Sequence, residues 1–156
     1  MARLSPRANI CETPTLNWVI PSWEKSKPSI GKFAKAPHTE QEIPIFEAEF
    51  VESGMGTGLV MSVPAHAPKD YQALMDLKSK NHELASKIEP IPIIVTEGYG
   101  KIPAKDVCEK LGVTDQIDIK LEEATEELYL KEFSNGKLNE KCGDFVNEKV
   151  EFGRNK

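Results

Sequence analysis

The chain of 156 residues has no apolar run of the ~18 residues that a membrane-crossing helix needs. Its first residues, MARLSPRANICE, lack the apolar core of a secretory signal. These absences point to a cytosolic protein. Cysteine is scarce: Cys11, Cys108 and Cys142 are far apart, odd in number and form no CxxC pair. With only His38, His66 and His82 to join them, neither a disulfide framework nor a zinc site is expected, and the thiols read as buried or idle. Both common phosphate loops, G-x-x-x-x-G-K-[ST] and G-x-G-x-x-G, are missing, which speaks against nucleotide binding through such a loop. A basic surplus is missing too. Against 20 Lys and Arg stand 25 Asp and Glu, a net charge of −5, which is the wrong sign for a protein that grips nucleic acid alone. From Lys25 to His38 the chain does carry Lys25, Lys27, Lys32 and Lys35 with no acid. Such a stretch could touch phosphate, but a solvated basic loop is the simpler reading.

What is present fits one globular domain, with 39% hydrophobic and 29% charged residues and no internal repeat or low-complexity tract. Residues 1–42 read as irregular, because Pro6, Pro14, Pro21, Pro28 and Pro37 break any long element. Trp18 and Trp23 lie among them and need something to pack on. In IPIFEAEFV, Phe46, Ala48 and Phe50 share one parity and Glu47 and Glu49 the other, the pattern of a half-buried strand. Glu52 to Gly56 is turn material, and Leu59 to Val63 reads as a more buried strand, so a hairpin is expected. Helical spacing of Tyr71, Leu74, Met75, Lys78, Ala85 and Ile88 predicts one amphipathic helix over about 70–87. Ile91 to Val95 suggests a third strand. Pro103 opens a helix through Leu111 that Gly112 closes. Asp118 precedes a helix over about 119–133 whose apolar face is Leu121, Ala124, Leu128 and Phe133, with Tyr129 beside it; Glu127 sits four residues before Lys131, and Ser134-Asn135-Gly136 is the stop. One further strand is suggested near Lys149–Phe152. The class is α/β, with short strands and three helices.

No nucleophile and base declare themselves. Ser62 lies four residues before His66, but spacing alone does not bring them together. One arrangement is left, in GTGLVMSVPAHAPKDY from Gly56 to Tyr71. A strand runs through PAHAP into a helix start at Asp70, and such junctions often line pockets. Asp70 has two readings. It could accept orphan backbone N–H groups as a helix cap or first-turn acid, or it could sit at a pocket rim and pair with a cation such as a substrate ammonium. Gly56 and Gly58 would let a ligand or another backbone come close.

GTGLVMSVPAHAPKDYQAL closely resembles the editing-domain signature of leucyl-tRNA synthetases, in the form typical of archaeal and eukaryotic cytosolic enzymes. EIPIFEAEFV before it, and IEPIPIIVTEGYGKIPAKDVCEKLGV and DIKLEEATEELYLKEFSNGKL after it, are similar to the flanking segments of the same family. The likeness covers about residues 30 to 150. A glycine-bracketed threonine also occurs in isoleucyl and valyl enzymes, while SVPAHAP followed by Asp-Tyr points to the leucyl branch.

The resemblance implies a small β-barrel editing domain of the Val/Ile/Leu-tRNA synthetase type with surrounding helices, here incomplete. It implies an irregular segment over 1–29, the editing-domain portion over 30–150 and a polar tail over 151–156. The implied reaction is hydrolysis of mischarged aminoacyl-tRNA(Leu) in protein biosynthesis, needed because one methylene is worth only ~1–3 kcal/mol in an apolar pocket. The implied partners are the tRNA 3′ end carrying the wrong amino acid and the remainder of the synthetase, with no membrane. Asp70 matches the aspartate that pairs with the α-ammonium. Gly56, Thr57 and Gly58 match the loop beside the terminal adenosine. Val63 and His66 match the pocket wall, and Tyr71 falls in the same signature. The family positions a water rather than using a protein nucleophile, and no metal or cofactor is implied for this chain. The ATP and Mg²⁺ of the parent enzyme belong to a core absent here: H-x-G-H does not occur, and Lys25-Ser-Lys27-Pro-Ser29 is a poor relative of Lys-Met-Ser-Lys-Ser. The family's threonine-rich strand opposite the aspartate has only a faint echo in Thr13-Pro-Thr15 and Leu16 to Val19. An alternative is therefore a folded, catalytically inactive module that binds tRNA or a synthetase core.

Overall fold

The computed structural model describes residues 17–21, 29–35, 42–48, 50–51, 58–80 and 82–149, with 17–21 and 29–30 as backbone only. Four strands form one sheet: β1 (Asn17–Pro21), β2 (Ser29–Lys35), β3 (Glu42–Ala48) and β4 (Val60–Ser62), in the spatial order β2-β3-β1-β4. β1 runs parallel to β3, with Trp18 opposite Ile45. β4 runs antiparallel to β1, with Asn17 opposite Ser62. β2 is antiparallel to β3.

This topology corrects two expectations. The span 1–42 is not uniformly irregular, since it contains β1 and β2. Pro21 does not prevent this, because it is the last residue of β1, where a missing donor costs no interior ladder bond. Nor do β3 and β4 form a hairpin. They flank β1, and the connection from 49 to 59 is longer than the roughly two to five residues of a tight hairpin. Among the described residues no closed barrel is formed.

Burial along β3 keeps the expected parity of Phe46 and Ala48 against Glu47, whereas β4 is not the more buried strand expected. In β3, Ile43, Ile45, Phe46 and Ala48 are all buried, because an interior strand is covered on both faces. In β4 the sense is inverted. Leu59, Met61 and Val63 are 40%, 46% and 36% exposed, while Gly58 and Ser62 are buried. The two-residue pleat turns the odd-numbered side chains outward once Ser62 points in.

After β4 come α1 (Pro68–Ser79) and α2 (Glu83–Ser86). The single helix expected over 70–87 is broken, since His82 takes an extended conformation and its Nδ1 accepts the Ala85 N–H as an N-cap. β5 (Ile94–Val95) is shorter than the expected 91–95, as Pro92 cannot donate to a ladder, and it pairs with β6 (Lys137–Leu138). Helices α3 (Pro103–Leu111) and α4 (Lys120–Asn135) lie where the sequence places them. Gly112 closes α3 in the left-handed conformation at φ 64°, and Asp118 accepts the Lys120 N–H at the start of α4. Glu127 does not reach along its own helix to Lys131. It takes Lys110 Nζ at 2.6 Å and the Tyr99 hydroxyl at 2.8 Å, which ties α4 to α3. Short 3-10 turns follow over Glu140–Phe145, and Lys149 bridges Lys137. The remainder of the strand suggested near Phe152 lies outside the described residues.

Helix α1 joins two cores. Leu74 and Leu77 pack with Phe46, Ala85 and Ile88, and Ala73 packs with Ala48 and Val51, which seats α1 on the sheet. Tyr71 packs with Ala104, Val107, Cys108, Leu121, Ala124 and Leu128, which seats the other side on α3 and α4. The helix is therefore covered on two sides rather than amphipathic towards solvent, and the start of α1 is held at the junction of both cores.

Candidate functional site

The junction is built on Val63. Its carbonyl accepts the N–H groups of His66 at 2.9 Å and Ala67 at 3.0 Å, which closes the turn that leads into α1. Its own N–H donates to Asp70 Oδ2 at 2.6 Å. Ala67 holds the N-cap position of α1 and Pro68 follows it, so one orphan donor of the first turn is absent. Asp70 lies in the first turn and does not cap its own helix; its carboxylate reaches back to the end of β4. The Ser62 hydroxyl lies near this carboxylate and favours its charged form.

Asp70 is 8% exposed. Burial pushes its carboxyl up to about 6, from an ordinary value of 3.8, against the Val63 amide and the Ser62 hydroxyl, which pull the other way. Desolvation thus outweighs both groups. The hollow on the sheet side of Asp70, lined by Phe46, Ala48, Ser62, Leu74 and Leu77, has about 20 Å³, enough for one water. The other side of β4 carries the exposed row of Leu59, Met61 and Val63. Tyr129 of α4 is 39% exposed, and its phenol is raised by burial and then by the Asp70 and Glu132 carboxylates.

His66 is not a free pocket group. Its Nε2 accepts the N–H groups of Ile93 at 3.0 Å and Ile94 at 3.3 Å, so that nitrogen carries no proton. The ring proton sits on Nδ1 and is donated to Glu132 Oε1 at 2.7 Å. His66 and Glu132 are both buried. Ser62 and His66 therefore do not form a nucleophile and base: one side chain serves Asp70 and the other is fully engaged by β5 and α4.

Of the residues singled out in the sequence, the structure brings Asp70 and Val63 together. Gly58 is buried at φ 74°, a conformation that favours glycine, just before β4. Tyr71 points into the helical core. Gly56 and Thr57 lie outside the described residues. Ser62 as a partner of Asp70 and Glu132 as a partner of His66 were not foreseen. Glu132 did leave a signal, because it falls four residues after Leu128 on the stripe of Leu121, Ala124 and Leu128, where an acid is buried. The buried Cys108 thiol is raised to about 11 by desolvation, which disfavours a nucleophilic thiolate. Among the described residues no cluster of His, Cys, Asp or Glu could hold a metal ion. A larger hollow of about 820 Å³, lined by Val95, Asn135, Lys137, Leu138, Val146 and others, contains none of the singled-out residues.

A family model for the leucyl-tRNA synthetase editing domain matches residues 12–91, half of the chain. The chain belongs to this family. The leucine–tRNA ligase of Methanococcus aeolicus is 49% identical over 121 residues, covering 78% of this chain and 12% of that protein. The Pyrobaculum neutrophilum enzyme is 43% identical over 122 residues, again 78% of this chain and 12% of the relative. The editing-domain chain thus spans about one eighth of these curated relatives. Its fold matches the crystal structure of GlLeuRS-CP1 with a TM-score of 0.60 and 28% identity, over 75% of this chain and 48% of that one. It also matches the P. falciparum cytosolic leucyl-tRNA synthetase editing domain, with a TM-score of 0.62 and 22% identity, over 69% and 36% of the two chains, a likeness of fold.

Proposed function

We propose that this editing-domain portion binds the aminoacyl end of mischarged tRNA(Leu) and hydrolyses its ester, with Asp70 holding the α-ammonium of the wrong amino acid. One observation carries the reading: a buried carboxylate, costly to ionise, is held at the end of β4 by the Val63 amide. An ammonium beside Asp70 offsets the desolvation of the carboxylate. The sheet-side hollow beside Asp70, about 20 Å³, admits only water. The loop of Gly56, Thr57 and Gly58 is assigned to receive the terminal adenosine. His66 contributes through the backbone of its turn, and Tyr71 by seating α1. The described residues offer no activated nucleophile, which fits attack by a positioned water. β1, paired to β4 with Asn17 opposite Ser62, takes the place of the family's threonine-rich strand, and the four-stranded sheet is the share of a barrel that this chain carries.

In this reading the partners are the tRNA 3′ end and the remainder of a cytoplasmic synthetase. ATP and Mg²⁺ serve only the synthetic core, and the editing step needs no cofactor. The test is deacylation of isoleucyl- and norvalyl-tRNA(Leu) by the chain and by Asp70→Ala. Loss of hydrolysis in the variant is expected. Equal rates would remove Asp70 from the site. tRNA binding without any hydrolysis by the unaltered chain would favour the inactive binding module, which the tightness of the hollow at Asp70 also allows.

A further inference from the structure

The turn that presents Val63 to Asp70 is held from outside by residues with no assigned role. His66 Nδ1 donates to Glu132 Oε1 at 2.7 Å, and His66 Nε2 takes the amides of Ile93 and Ile94. The Ala65 carbonyl accepts the Ala104 N–H at 3.1 Å, at the start of α3. The family match ends at residue 91, yet every one of these holding groups comes from β5 and its lead-in, α3 or α4. Val63 has no slack of its own, because its carbonyl closes the turn and its N–H binds Asp70. The anchored His66 ring ties the turn to β5 and α4, so losing that anchor frees the turn to move and loosens the Val63 amide on the carboxylate. Glu132 fixes that ring in the one tautomer that leaves Nε2 free to accept.

We propose that Glu132, acting through His66, is a positioning residue for the Asp70 site, so that the α4 helix sets the geometry at which the carboxylate meets a ligand cation. The inference rests on the functional reading given above for Asp70, but its first test does not need activity. In the full chain, labelled with ¹⁵N, Glu132→Ala is expected to speed hydrogen exchange of the Val63 amide by about tenfold or more, the scale of one lost buried hydrogen bond. The amides of Val107 and Cys108 in the helical core should be unchanged. Glu132→Gln keeps an acceptor for Nδ1–H and should restore Val63 protection, which a general loss of packing would not do. Unchanged Val63 exchange in a folded Glu132→Ala, or a Gln variant as impaired as Ala, would overturn the proposal. If Glu132→Ala fails to fold, the ¹⁵N shifts of the unaltered His66 ring decide: a proton on Nδ1 supports the proposal, and a proton on Nε2 sinks it. In the full-length synthetase, kcat/KM for deacylation should fall in Glu132→Ala and recover in Glu132→Gln. Absence of deacylation by the unaltered enzyme would overturn the functional reading alone, since the Val63 and His66 measurements stand apart from it.

Discussion

Asp70→Asn should stabilise this domain at neutral pH. Asn keeps an oxygen that can accept the Val63 N–H, so the local geometry survives while the charge is removed. In the native chain the carboxyl is raised from 3.8 to about 6 by burial. That rise corresponds to ~3 kcal/mol by which folding disfavours the ionised form. Below the lower value both folded and unfolded chains hold the proton, and Asp70 costs nothing. Between the two values the folded state binds more protons than the unfolded one, so stability falls as pH rises. Above about 6 the whole cost is present. Urea unfolding of both proteins from pH 4 to 8 isolates the effect, because other titrating groups cancel in the difference. The advantage of Asp70→Asn should grow from near zero to ~3 kcal/mol, with most of the change between pH 4 and pH 6.5. A difference that stays flat with pH, or one that grows in the opposite direction, would refute the assignment of burial as the dominant cause.

Two further perturbations test the frame that holds the site. Leu128 is fully buried among Tyr71, Val107 and Ala124, and Leu128→Ala should cost ~2–5 kcal/mol in chemical unfolding; a cost well under 1 kcal/mol would mean that α4 is not packed as described. At Gly136, an added Cβ would lie 2.3 Å from the Glu132 carbonyl oxygen and 2.9 Å from Ile94 Cγ2. Gly136→Ala should therefore cost ~2 kcal/mol or more and shift the NMR signals of the His66 ring, which hangs on both residues; an unperturbed His66 would separate the β5–β6 pair from the site.

Local chemistry explains what could be read in the sequence. Pro103 and Gly112 delimit α3 because each acts through its own backbone: one lacks a donor the first turn does not need, and the other adopts a conformation its neighbours avoid. The face of α4 was equally legible, since Leu121, Ala124 and Leu128 repeat every three or four residues. Strand pairing was not, because it depends on residues far apart. Nothing in EIPIFEAEF or GLVMS says that Asn17–Pro21 will lie between them. The inversion of β4 was hidden for a related reason. Leu59, Met61 and Val63 carry the hydrophobicity of a core strand, yet the pleat buries Gly58 and Ser62 instead. At the site, Asp70 and Val63 stood out through the signature. Glu132 did not, because its partner is 66 residues away.

The direction of the Asp70 shift bears on the choice the sequence left open. A plain helix cap accepts orphan amides near the positive end of the helix dipole, which favours the carboxylate and lowers its pKa. Asp70 is raised instead, and the amide it accepts belongs to Val63, outside α1. The ionised residue should therefore lower the stability of the fold at neutral pH. An acid of similar size could be replaced there by Asn with a gain, so its local energetics do not explain its presence. A cation at the carboxylate changes this balance, because the attraction of two opposite charges in a poorly hydrated place repays the desolvation that folding alone leaves uncompensated. Asp70→Asn then separates the two requirements: the substitution that should strengthen the domain should, if the proposed role of Asp70 is right, also weaken binding of an aminoacyl ammonium.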